Sequence, residues 1–177
     1  MATTKKKTAE KAVEAVESVE APRKLTPKEI DINQLITVRN GFQGKLIYIS
    51  KRTGEHFIWD EFGDEQDIEL KELRNAKNTS KAFFSNNWFM FDEESEWVID
   101  YLGVSQFYAN AIKLSDFDEL FTKPAKEIGA IVSKLSEGQK KSVEYRARQM
   151  VVSGEIDSRS AIKALEEALG VDLIEHD

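Results

Sequence analysis

The sequence predicts an α+β chain, with a small antiparallel sheet or open barrel in its N-terminal part and a helical bundle after it. Two observations carry that reading. Between Leu35 and Phe91 the apolar residues fall in short β-branched and aromatic runs separated by glycine-bearing turns. Beyond Asp92 their period lengthens from two to about 3.6. A third observation sets the start of the chain apart: residues 1–27 contain no aromatic side chain, and prolines at 22 and 27 punctuate the end of this segment. The expected layout is a flexible tail over 1–27, a β-rich module over 28–92 and a helical module over 93–177, with the two modules sharing one aromatic core.

Within the tail, Val13, Val16 and Val19 recur at helical spacing. So few large apolar groups cannot hold a short helix in water, so a tether is expected. Leu35–Arg39 reads as the first strand, and Asn40–Gly44 as a turn. Lys45–Ser50 and His56–Trp59 flank the tight turn Arg52-Thr53-Gly54-Glu55 and read as a hairpin. Asp67–Leu70 alternates polar and apolar, as a half-buried strand does. Residues 71–87 mix helical spacing (Leu70, Leu73, Ala76) with loop-forming asparagines, and Trp88–Phe91 reads as a short buried strand. The sheet is expected to close over Ile47, Ile49, Phe57, Trp59, Ile68 and Phe89.

In the helical part, Asp92, Glu93 and Glu94 place negative charge at a helix start, where the macrodipole favours it. Trp97, Tyr101, Val104, Tyr108 and Ile112 follow at helical spacing, with Gly103 as a break. Ser115 reads as a cap with Phe117, Leu120 and Phe121 as the apolar face behind it. Pro124 suits a helix start, with Ile128, Ile131, Val132 and Leu135 as the stripe. Ser136 opens a further helix, which Gly154 ends. Asp157 or Ser158 caps the last helix, which Gly170 closes.

Composition narrows the chemistry. A chain of 177 residues with net charge −7 is a poor general binder of nucleic acid. With no cysteine, disulfides, thiolate catalysis and cysteine-held zinc are excluded, and its two histidines, His56 and His176, are far apart in the chain. No run is long and apolar enough for a membrane span, and the basic start has no apolar signal-peptide core. No cofactor is expected.

Four clusters invite a function. The acidic stretch Asp60, Glu61, Asp64 and Glu65 fails the calcium-loop pattern: counting from Asp60, Glu65 stands at the sixth position in place of glycine and Lys71 at the twelfth in place of glutamate. It reads as a solvated turn, or as an acidic surface for a basic partner. Lys51 and Arg52 at the hairpin tip read as a polar turn, or as a phosphate contact beside Tyr48, Phe57 and Trp59. Lys140, Lys141, Arg146 and Arg148 read as the charged outer face of a bundle, or as a DNA-reading helix with Lys141, Tyr145 and Arg148 on one face. The aromatics from Phe83 to Tyr108 read as a shared core, or as a partly exposed protein-binding patch.

The runs Gly44–Gly54 (GKLIYISKRTG), Trp59–Glu65 (WDEFGDE), Asn87-Trp88-Phe89, Val98–Leu102 (VIDYL) and Ile162–Glu166 (IKALE) resemble a group of small proteins of tailed phages that infect bacteria with Gram-positive walls. The resemblance spans residues 35–174 and carries no catalytic residue. It implies a non-enzymatic virion structural or assembly component. Its partners would be other phage structural proteins, and itself in an oligomer, and its location the virion or the host cytoplasm. On this reading Lys51, Arg52, Asp60, Glu61, Asp64 and Glu65 are the candidate protein contacts. The alternative is a nucleic-acid-binding regulator using Lys140, Lys141, Arg146, Arg148 and the hairpin tip. A third reading is a small enzyme with a non-standard site, which requires a deep pocket with converging polar groups.

Overall fold

A computed structural model describes residues 30–174. The expected tail over 1–27 lies outside the described residues. Contacts divide the chain into Met1–Ile30 and Asp31–Asp177, and every element below belongs to the second unit.

Five strands build two small antiparallel sheets. β1 (Leu35–Asn40) lies between β4 (Glu65–Glu69) and β5 (Phe89–Met90), while β2 (Leu46–Ile49) and β3 (His56–Trp59) form the hairpin. The β1–β4 register sets Ile36 opposite Ile68 and Thr37 opposite Asp67. One face is therefore apolar and the other polar, as a sheet with one buried face requires. Trp59 Nε1 donates to the Val38 carbonyl at 2.9 Å, which fastens the hairpin to β1.

The ambiguous stretch after β4 is helical. α1 (Leu70–Thr79) buries Leu70, Glu72, Leu73 and Ala76, and the short α2 (Ala82–Ser85) buries Phe84. Their packing encloses an aromatic cluster. Ring centroids of Phe57, Phe83 and Phe89 lie 5.8, 5.2 and 5.5 Å from that of Tyr48, and Trp59 lies 5.5 Å from Phe89. Such separations suit offset and edge-to-face contact.

The hairpin corrects one expectation. Ile47 and Ile49 are not in the core: they are 46% and 44% exposed, while Leu46 and Tyr48 are buried. β2 is apolar on both faces, so alternation alone does not say which face turns inward. The aromatic face does, because Tyr48 and Leu46 stand opposite Phe57 and Trp59.

In the second half, α3 (Trp97–Leu102) stops at Gly103, whose φ of 66° supplies the left-handed cap. The spacing that predicts a further helix after it resolves into a single 3₁₀ turn, Ser105–Phe107. The segment after Ser115 is likewise 3₁₀, Asp118–Thr122, with Leu120 and Phe121 buried. α4 (Ala125–Val132), α5 (Glu137–Ser153) and α6 (Arg159–Leu169) follow. Ser136 and Ser158 accept from the backbone N–H of Gln139 and Ala161, and Gly154 and Gly170 end their helices in the left-handed conformation, as the capping rules anticipate. Ile128, Val132, Leu135, Val143, Ala147, Ile162, Leu165 and Leu173 belong to the aliphatic core of this half.

The two halves meet where α5 runs against the loops around β5. The Ser142 hydroxyl donates to the Gly41 carbonyl at 3.0 Å. Within the helical half, Gln139 accepts from the Ile112 N–H and donates to the Ile112 carbonyl, at 3.0 and 2.8 Å. A Cβ on Gly138 would stand 2.2 Å from the Asn86 carbonyl oxygen, so only glycine allows this approach.

Candidate functional site

The four bases of α5 are largely matched within the fold. Lys140 pairs with Glu137 and Arg148 with Glu144 on the same helix, both at 3.0 Å, and Arg146 grips Asp118 at 2.8 Å. Hydrogen bonding to Asp118 is the main reason the Arg146 guanidinium is held more firmly protonated than usual. Among the described residues Lys141 alone of the four has no ion-pair partner. Cations that neutralise phosphates bind best when no acid already holds them; here three of the four face acids.

The hairpin tip divides its two bases between different tasks. Lys51 is exposed and has no ion-pair partner among the described residues. Arg52 turns back onto Glu72, donating from Nε and Nη2 at 3.1 and 3.0 Å. Glu72 is only 3% exposed. It also accepts from the Tyr48 hydroxyl at 2.7 Å and from Asn75 Nδ2 at 2.9 Å. Burial works to raise the Glu72 carboxyl, but hydrogen bonds from Tyr48, Asn75, Ser50 and Arg52 outweigh it and hold the group below the usual carboxylate range. Burial first, and then the bond to Glu72, push the Tyr48 phenol upward. Every lone-pair direction of Glu72 that matters is met by a donor, which is the pattern of a buried structural carboxylate rather than of a general base.

The acidic turn is organised by its own members. Asp64 Oδ2 accepts the N–H groups of Asp60 and Glu61 at 3.0 and 2.8 Å, and Lys45 pairs with Asp60 at 2.8 Å. Glu65 pairs with Arg39, which also holds Asp92 at 2.7 Å. The hydrogen bond to Asp92 is the main cause of the raised Arg39 pKa. The buried Asn40 underlies the turn: its Nδ2 donates to the carbonyls of Gly44 and Glu61 at 2.7 and 2.8 Å, and its Oδ1 accepts from the Phe42 N–H at 2.8 Å. Phe62 anchors the turn to the helical half through Phe117, 4.8 Å between centroids. Glu61 is left outward with no ion-pair partner among the described residues. No group of three or more metal-ligating side chains is placed to hold an ion among the described residues.

The basic tip and the acidic turn are therefore not one site. A four-residue hairpin separates them by roughly 13 Å, at about 3.3 Å per residue. Between them lie Ile47 and Ile49, expected in the core but turned outward, with Ile58 facing Ile47 across the hairpin and also outward. The equivalent face of β1 and β4 is polar, with Thr37 donating to Asp67 at 2.8 Å and Arg39 beside Glu65. An open cleft of about 550 Å³ lined by Glu65, Asp92, Glu93, Glu94 and Lys113 borders that polar face.

Compared with protein families, with curated proteins and with solved structures, the chain finds no match in any of the three.

Proposed function

We propose that this chain is a non-enzymatic structural or assembly component of a tailed-phage particle, acting through contacts with other proteins. The observation that carries the protein-contact part is the outward isoleucine face of the hairpin. Ile47, Ile49 and Ile58 are 46%, 44% and 38% exposed on a hairpin whose buried face is already filled by Leu46, Tyr48, Phe57 and Trp59. Apolar side chains gathered on one exposed face support a surface that another protein covers. Glu61 and Lys51, each without an ion-pair partner among the described residues, flank it as polar rim, the usual setting of an apolar contact. The phage assignment rests on the sequence resemblance over 35–174.

The matched bases of α5 weigh against the nucleic-acid reading, because three of its four cations would have to give up an acid before meeting a phosphate. The decisive experiment is mass spectrometry of purified particles, with the copy number of this chain set against that of the major capsid protein. A fixed stoichiometric presence is expected. Absence from particles at every stage of assembly would overturn the reading.

A further inference from the structure

The hairpin has a second property that the isoleucine face alone does not reveal. The Ser50 N–H donates to the Glu55 carbonyl at 2.9 Å, which fixes the phase of the β2–β3 ladder. In an antiparallel pair, hydrogen-bonded and non-hydrogen-bonded residue pairs alternate. Tyr48 and Leu46 therefore bond across to β3, while the backbone N–H and C=O of Ile47 and Ile49 point away from it. The opposite edge of the hairpin confirms the phase: Ile58 must also point outward, and its carbonyl is met there by Gln66 Nε2 at 2.9 Å. On the β2 side no such partner exists among the described residues. Among the described residues, neither Ile47 nor Ile49 has a hydrogen bond to its N–H or C=O outside the hairpin.

Among the described residues β2 is thus an open edge with two outward peptide units, and its side chains complete a pattern. On the exposed face the sequence reads Lys45, Ile47, Ile49, Lys51 at alternate positions. Lys45 is balanced by Asp60 across the hairpin, whereas Lys51 is unmatched among the described residues. Natural edge strands are usually protected by a charge pointing into the middle of the edge, a proline or a bulge. This edge has its cations only at the two ends and β-branched apolar residues between them.

We propose that β2 receives an extended segment of a partner protein as an added strand, and that this segment carries alternating apolar residues with acidic residues at its ends. The occupant follows from the chemistry of the edge. Main-chain bonds to Ile47 and Ile49 supply affinity, their side chains select apolar neighbours at alternate positions, and Lys51 selects a carboxylate. A second copy of β2 fits poorly, because antiparallel pairing of two such strands sets Lys45 of one near Lys51 of the other, like against like. The proposal rests on the reading that the chain acts through protein contacts, and names the edge and the class of partner.

The test uses the full chain and two synthetic peptides in which valines alternate with threonines, one ended by glutamates and one by lysines. Amide hydrogen exchange is read at Ile47 and Ile49. The acidic peptide is expected to slow exchange there by at least about tenfold, and the basic peptide to leave it unchanged. Lys51→Glu is expected to weaken the acidic peptide at least about fivefold without altering the fold, since Lys51 is exposed. Ile47→Pro removes an outward N–H while sparing the β2–β3 ladder, and is expected to abolish binding. Equal effects of the two peptides, no effect of either, or wild-type binding by Lys51→Glu would overturn the proposal. So would amides already protected in the chain alone, whether independently of concentration (an edge covered by the chain itself) or increasingly with it (a second copy). Copy number in particles is a separate readout: a chain present in particles that ignores the acidic peptide removes this edge and leaves the structural role standing.

Discussion

The strand half buries a carboxylate, a phenol and an amide: Glu72, Tyr48 and Asn40 all sit at or near zero exposure. The helical half, from Phe117 to Leu173, buries aliphatic and aromatic groups almost alone. Its two buried polar side chains, Gln139 and Ser142, both lie on α5 and both bond to backbone of the preceding segments. Regular helices satisfy their own backbone and need only a packed stripe. Short strands joined by turns leave carbonyls and N–H groups that side chains must meet, and Asn40 meets three of them. The halves should accordingly fail in different ways.

The junction between them is the most sensitive point. Gly138→Ala forces a Cβ to within 2.2 Å of the Asn86 carbonyl oxygen. A loss of roughly 4 kcal/mol is expected in urea unfolding, above the usual overpacking range because the opposing atoms are mostly backbone. In the helical core, Leu165→Ala leaves a cavity at a fully buried site. It should cost about 3 kcal/mol, by the same amount at every pH between about 4 and 8.

Glu72→Gln distinguishes the strand half by its pH dependence. The folded carboxyl lies below its ordinary value, so its contribution is complete above the unfolded pKa of about 4.3 and is lost as pH falls through the folded value. The substitution should cost about 2 kcal/mol at neutral pH and progressively less below about pH 4, as the parent protein itself weakens. Unfolding curves for both proteins across that range check it. A parallel loss at all pH values would mean that the carboxylate acts by shape alone. The smallest effect is expected from the outward face: Ile47→Thr with Ile58→Thr removes exposed apolar groups and should change stability by less than about 1 kcal/mol.

Much of this architecture could be read locally. The caps at Ser136 and Ser158 and the left-handed glycines at 154 and 170 follow from residue chemistry within one helical turn. The strands announce themselves through β-branched and aromatic residues between turns. What could not be read depends on distant partners. Glu72 looks like a surface acid in sequence, and its burial is explained only by a tyrosine and an arginine on the hairpin, 24 and 20 residues away. Arg52 looked like a free cation for the same reason. Sequence pattern places Ile47 and Ile49 on the inward face of β2, yet Leu46 and Tyr48 take it, because the choice falls to the aromatic residues facing them on β3. α1 was obscured by its asparagines and lysines, although Leu70, Leu73 and Ala76 do line one buried face.

The central claim is that the hairpin separates two tasks, its inner face stabilising the fold and its outer face binding another protein. The most direct test is the copy number of the Ile47→Thr, Ile58→Thr variant in purified particles, using protein whose unfolding midpoint matches the parent's. The account predicts a fall of at least about tenfold in incorporation with stability unchanged. Incorporation at the parent's copy number would contradict it.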